Sequence, residues 1–245
     1  MRAAYMYEPG DVRVIDAPDP RIEEPTDALL RLVRTCVCGS DLHPYHSMKP
    51  RAQGVSMGHE YLGIVEEVGA DVATVKPGDL VIVPFVFSCG VCDFCREGLQ
   101  TSCRVAGLRS RLGSEGAQAE LLRAPLADGT LFAVDAGEEH YAGLLTLSDV
   151  YGTGFHAALT GGAGAGTTVA VIGDGAVGVL AVLSARQLGA DRIILMGRHE
   201  ARTDLGREFG ATDVVAARGE EGIEAVRELT DGDGCHVVLE AVGHL

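Results

Sequence analysis

The stretch Val171-Ile172-Gly173-Asp174-Gly175-Ala176-Val177-Gly178 constrains the fold more than any other part of the chain. It is a G-x-G-x-x-G that follows the apolar run 168–172 and opens a helical pattern over 176–188, with Val177, Leu180, Ala181 and Leu188 on one face. In that setting the first glycine makes a tight turn, the second lets backbone approach a pyrophosphate, and the third lets helix pack close on strand. The phosphates then meet the free N–H groups of the helix start. Gly173, Gly175, Val177 and Gly178 are therefore candidate nucleotide contacts. A glycine turn without a ligand is the alternative, and the strand and helix on either side disfavour it.

From about residue 150 onward strands and helices alternate. The first helix ends at Gly189, and strands over 192–196, 213–216 and 237–239 are separated by helices around 201–209 and 221–229. Such alternation means parallel βαβ units. The chain stops at Leu245, after the fourth strand. A complete dinucleotide fold has roughly six strands in two halves, so the sequence reads as one half plus a strand, part of a longer product. The acid that selects NAD is expected at the end of the second strand, about 20 residues past the turn. That place holds Met196-Gly197-Arg198-His199, with Arg202 close behind. Acidic readout is absent there and two cations are available to a 2′-phosphate, so Gly197, Arg198 and Arg202 point to NADP. In the alternative, the arginines are solvated helix charges and Glu200 reads the ribose.

The first half reads as short strands over 28–33, 61–68, 80–84 and 118–123, the third entered through the turn Lys76-Pro77-Gly78-Asp79. Into this β-rich domain is inserted an excursion over 88–104 that carries Cys89-x2-Cys92-x2-Cys95-x7-Cys103. Four thiolates close a tetrahedral zinc site with no open position. Its role is to stiffen a lobe without a core of its own. Disulfides or unpaired thiols are the alternative, disfavoured by clustering of this kind in a reducing compartment.

A second group spans Cys38-Gly39-Ser40-Asp41-Leu42-His43 and Gly58-His59-Glu60. A catalytic zinc takes three ligands from thiolate, imidazole and carboxylate and leaves a fourth position open. Cys38 and His59 fit two of these places; a buried Cys and a structural His are the other reading. Cys36 and Cys235 read as small buried apolar residues.

A formal charge of −15 over 245 residues argues against nucleic acid or an anionic membrane as partner. Hydrophobic content of 47% and charged content of 22% are globular values. Neither a signal-peptide core nor an apolar run of bilayer length is found, so a cytoplasmic protein is expected.

Taken together, Gly58-His59-Glu60-Tyr61-Leu62-Gly63, Cys38-x-Ser40-x-x-His43, the four-cysteine lobe and the glycine turn resemble the zinc-dependent medium-chain alcohol dehydrogenases, in order and over essentially the whole chain. The resemblance implies an α/β plus β-rich fold. Residues 1–150 would form a GroES-like catalytic domain, and residues 151–245 a Rossmann-type NAD(P)-binding domain incomplete at its C-terminal end. Chains of that family continue further and supply dimer contact, so a homo-oligomer is implied for a full-length member. By position, Cys38 and His59 match the first two ligands of the family's catalytic zinc. The third falls on Asp149, within Ser148-Asp149-Val150-Tyr151-Gly152-Thr153-Gly154; a helix N-cap is its other reading. Glu60 resembles the acid beside the metal, Ser40 the hydroxyl that bonds the substrate oxygen, and His43 the outer end of a proton path. A turn Ser and a surface His are the plainer readings of the last two. Thr153, Val242 and Gly243 resemble residues near the nicotinamide and its ribose. The function implied is hydride transfer between a small alcohol, or its carbonyl product, and NAD(P). An inactive part-chain, or a zinc- and nucleotide-binding scaffold without turnover, is the alternative.

Overall fold

The computed structural model describes residues 1–105, 107–108 and 116–243. The chain divides into two compact units, Met1–Asp149 and Val150–Leu245. Among the described residues no helix is long and apolar enough to cross a membrane.

In the first unit the chain runs through β1 (Arg2–Glu8), β2 (Asp11–Asp16), β3 (Ala28–Thr35), α1 (Leu42–Ser47), β4 (Val55–Ser56), β5 (Tyr61–Val68), β6 (Leu80–Val83) and β7 (Val86–Phe87). There follow α2 (Asp93–Arg96), β8 (Gly107–Leu108), β9 (Leu121–Ala124), α3 (Ala127–Thr130), β10 (Phe132–Val134) and α4 (Tyr141–Thr146). The main sheet is antiparallel, in the order β10-β6-β5-β3-β9. Side chains alternate across it with period two. Leu30, Tyr61, Val65, Val81, Val83 and Leu122 join one core, whereas Leu62, Leu80 and Ile82 pack with Ile64, Leu144 and Leu145 in another.

Register then decides which loops meet. Thr35 at the end of β3 pairs with Tyr61 at the start of β5, and Tyr61 pairs with Val83 at the end of β6. The segments just outside these ends, 36–38, 58–60 and 84–85, are therefore neighbours. Phe85 N–H donates to the Ser148 carbonyl at 3.1 Å, which brings in the residue before Asp149. The strand expected over 118–123 begins at Leu121 instead. The preceding residues are drawn elsewhere: Gln118 N–H donates to the Met57 carbonyl and Ala117 N–H to the Gly58 carbonyl. Cys36 and Cys235 are half-buried rather than buried. Burial and the neighbouring Glu60 push the Cys36 thiol up to about 12.

The second unit contains α5 (Val150–Thr160), β11 (Thr168–Ile172), α6 (Ala176–Gln187), β12 (Arg192–Met196), α7 (Glu200–Phe209), β13 (Asp213–Val215), α8 (Gly219–Leu229) and β14 (Val237–Glu240). Its sheet is parallel, in the order β13-β12-β11-β14. Val169, Val171, Ile193, Ile194 and Leu195 are all buried, which is why β11 and β12 read as continuous apolar runs. The chain walks from β11 to β12 to β13, then returns to place β14 on the other side of β11. The topological switch point lies between β11 and β14, where open α/β sheets take their ligands.

Gly178 shows what the third glycine of the turn is for. A Cβ there would lie 1.9 Å from the carbonyl oxygen of Gly173. That oxygen is backbone, so turn or helix must move. Gly178→Ala is expected to destabilise the fold by about 3 kcal/mol, as overpacking of a tight contact does. An unfolding midpoint equal to that of the parent chain in a calorimetric scan would refute the close approach.

Candidate functional site

Cys38, His59, Glu60 and Asp149 each offer one donor atom, and these atoms all lie within 4.8 Å of one another. Asp149 Oδ2 is 3.3 Å from His59 Nε2 and 4.0 Å from Cys38 Sγ. A tetrahedral zinc with bonds of about 2.0–2.3 Å would separate such donors by roughly 3.3–3.8 Å. The set fits that ion in donor chemistry and spacing. Glu60 is only 2% exposed, and it completes the group from the same loop as His59.

A residue that the sequence did not single out holds this arrangement. Asp41 Oδ2 accepts a hydrogen bond from Cys38 N–H at 2.9 Å, and Asp41 Oδ1 lies 3.5 Å from His59 Nδ1. One carboxylate thus fixes the backbone of the thiol residue and faces the imidazole nitrogen turned away from the cluster. Such outer carboxylates orient metal-binding histidines. Hydrogen bonding to Asp149, Asp41 and Cys38, against the effect of burial, pushes His59 up to about 11. An anionic cage that holds a proton so firmly is also the electrostatic setting for a divalent cation.

Ser40 is exposed, with its Oγ 3.3 Å from His59 Nε2, beside the cluster. His43 sits on α1, exposed, and its carbonyl accepts a hydrogen bond from Ser47 Oγ at 2.8 Å. The ring of Phe85 meets that of His59 edge-on at 6.5 Å.

Cys89, Cys92, Cys95 and Cys103 form the second donor group. The Cys89–Cys103 and Cys92–Cys95 sulfur pairs are 3.5 Å apart, and the Cys92–Cys103 and Cys89–Cys95 pairs 4.0 Å. Zinc–sulfur bonds of about 2.3 Å in a tetrahedron give roughly 3.8 Å. Disulfide sulfurs would be about 2.05 Å apart, so the spacing suits a shared metal and not a disulfide. Hydrogen bonding to the Arg104 and Cys95 backbone holds the Cys92 thiol below its ordinary value, towards the thiolate a metal needs.

In the second unit, Gly173 turns with φ +113° and Gly175 caps α6. Val242 and Gly243 follow β14. The side chain of Val242 closes on Gly173, 3.0 Å from where a Cβ would stand. Val177 is half-buried in the first turn of α6, and Thr153 is exposed on α5. At the end of β12 a carboxylate reaches across to the loop without belonging to the strand. It comes from the glycine turn: Asp174 Oδ2 accepts hydrogen bonds from the N–H groups of Arg198 and His199, both at 2.9 Å. Arg198 and Arg202 are exposed beside it.

The family model described as the alcohol dehydrogenase GroES-like domain matches residues 24–135, and the one described as zinc-binding dehydrogenase matches residues 176–245. The zinc-type alcohol dehydrogenase B of Aspergillus flavus is 36% identical over 99% of this chain and 58% of its own length. The chain thus spans a little over half of that relative. An uncharacterized zinc-type alcohol dehydrogenase-like protein of Bacillus subtilis is also 36% identical, over 99% of this chain and 68% of its own. Among solved structures, the alcohol dehydrogenase of Thermus sp. ATN1 superposes with a TM-score of 0.86 at 34% identity, covering 100% of this chain and 71% of that one. These likenesses run through both units in the same order, and the chain belongs to the zinc-dependent medium-chain alcohol dehydrogenases.

Proposed function

We propose that the protein is an oxidoreductase that passes hydride between a small alcohol, or its carbonyl product, and a nicotinamide nucleotide, with NADP preferred to NAD. The observation that carries this reading is the gathering of Cys38, His59, Glu60 and Asp149 donors within 4.8 Å. A thiolate, an imidazole and a carboxylate are a catalytic zinc's ligand set, and three of them leave a position for substrate.

Cys38, His59 and Asp149 hold the metal, and Glu60 stands by as a spare donor. When bound, zinc supplies Lewis acidity to a substrate oxygen, and the nicotinamide gives or takes the hydride. Ser40 receives the proton of the substrate hydroxyl and hands its own onward to His43, which is exposed to solvent. Asp41 keeps His59 in the tautomer that presents Nε2 to the cluster. In the second unit, Gly173, Gly175, Val177 and Gly178 receive the pyrophosphate. Gly197, Arg198 and Arg202 take the adenosine end, where guanidinium groups suit a phosphate monoester. Thr153, Val242 and Gly243 lie along the nicotinamide half.

Metal analysis combined with turnover tests the reading. About two zinc ions per chain are expected, together with alcohol oxidation that runs faster with NADP than with NAD across a panel of primary, secondary and polyol substrates. One zinc per chain and no oxidation would replace the enzyme by a scaffold.

A further inference from the structure

Asp174 occupies a place that neither the glycine turn nor the second strand explains by itself. Its carboxylate is nearly buried, and it crosses from the turn after β11 to the loop after β12. Oδ2 accepts from Arg198 N–H and His199 N–H at 2.9 Å each, and His199 Nδ1 lies 2.9 and 3.0 Å from the two oxygens. Arg202 Nη1 lies 3.7 Å from Oδ1. The neighbouring backbone makes room for it: a Cβ on Gly197 would fall 2.5 Å from the Asp174 Cβ. Burial alone would raise this carboxyl, but the hydrogen bonds from His199 and Arg198 outweigh it and hold the group below its ordinary value.

Oδ2 takes both backbone N–H groups and the His199 ring, while Oδ1 shares that ring and faces Arg202 at ion-pair distance, so local contacts engage most of a carboxylate's roughly four lone-pair sites. Asp174 therefore has little left with which to accept the two hydroxyls of a ribose. What it does instead is fix the loop that carries Arg198, His199 and Arg202, whose side chains are all exposed. Among the described residues Arg198 makes no ion pair, so its guanidinium remains available to a ligand.

We propose that Asp174 is a positioning residue for a phosphate monoester: it anchors the loop 197–199 and the start of α7 so that Arg198 and Arg202 converge on the 2′-phosphate of the nucleotide. The proposal rests on the NADP reading above and adds the group that makes it possible. It also accounts for an acid inside the glycine turn that reads no sugar.

The test is calorimetric titration of the full chain with two probes, adenosine 5′-monophosphate and adenosine 2′,5′-bisphosphate, which differ only in the 2′-phosphate. The parent chain is expected to bind the bisphosphate roughly tenfold more tightly or better, as charge-assisted contacts to one phosphate allow. In Asp174→Ala the preference should fall to about threefold or less, with monophosphate affinity within about twofold of the parent. Asp174→Asn keeps an acceptor for the two backbone N–H groups and removes a negative charge, so it should retain the full preference. No preference in the parent chain would overturn the NADP reading itself. A parent preference that survives in Asp174→Ala would overturn the role of Asp174 alone. Equal losses for both probes in Asp174→Ala, or an Asn variant that behaves like the Ala variant, would also overturn the positioning role.

Discussion

Replacing Cys38 with alanine is expected to remove the zinc of the first cluster and spare that of the lobe, so that metal content falls from about two ions per chain to about one. The remaining donors, His59 and Asp149 with Glu60, would then be an imidazole and two carboxylates, one of them almost wholly buried. Losing the thiolate takes away the softest donor and the one delivered directly by the end of β3. Lewis-acid stabilisation is worth several kcal/mol, so alcohol oxidation should drop by roughly 10³-fold or more. Asp41→Asn makes the contrast. It keeps all the donors but weakens the grip on His59, and an outer partner of this kind is typically worth about 10–100-fold in metal affinity or activity. Full activity in Cys38→Ala, with both metals retained, would remove Cys38 from the mechanism.

How far the sequence reached depended on whether a feature was local or made by register. The strands over Thr168–Ile172 and Arg192–Met196 were legible residue for residue, because both are buried on both faces and read as unbroken apolar runs. The hairpin of β1 and β2 was not. Its alternating Val12 and Val14 face solvent, 42% and 71% exposed, so their spacing marks no buried face. Helix α1 contains six residues, none of them buried, and no helical stripe could announce it. Both donor groups were visible as residue types and spacings, but the assembly of Cys38 with His59 and Glu60 depends on Thr35 pairing with Tyr61 and Tyr61 with Val83. Asp41 could have been found: it stands three residues after Cys38, the spacing of a capping box, and that box forms. Asp174 could not, since its partners lie 24 and 25 residues away and meet it only once β11 and β12 are side by side.

Removing one thiol of the lobe should produce the reverse of the Cys38 result. Among the described residues, the excursion between β7 and β8 has little of its own to bury: Val91, Leu99 and Val105 are 65%, 46% and 62% exposed. Its regular structure is the single turn of α2, a short 3-10 turn over Gln100–Ser102 and a two-residue strand pair. The exposed Arg104–Asp93 ion pair, 2.7 Å at its Nε, is screened by water and adds little. At its base Ser88 N–H donates to Thr130 Oγ1 at 3.0 Å, but that bond fixes where the lobe starts, not its path. Only a metal joining Cys89, Cys92, Cys95 and Cys103 can hold the path, because zinc binding free energy is folding free energy in such small sites. Cys95, the buried member, is the most damaging to lose. Cys95→Ser is expected to release one zinc ion and cost about 4 kcal/mol or more, in the range of a lost structural metal. Amide hydrogen exchange should become fast across residues 89–103 while the sheet around Leu30, Tyr61 and Val81 stays protected. A zinc bound at Cys38 and His59 should remain, since both residues flank strands of that sheet. Protection of the lobe unchanged in Cys95→Ser would mean that its fold is carried by contacts other than the metal.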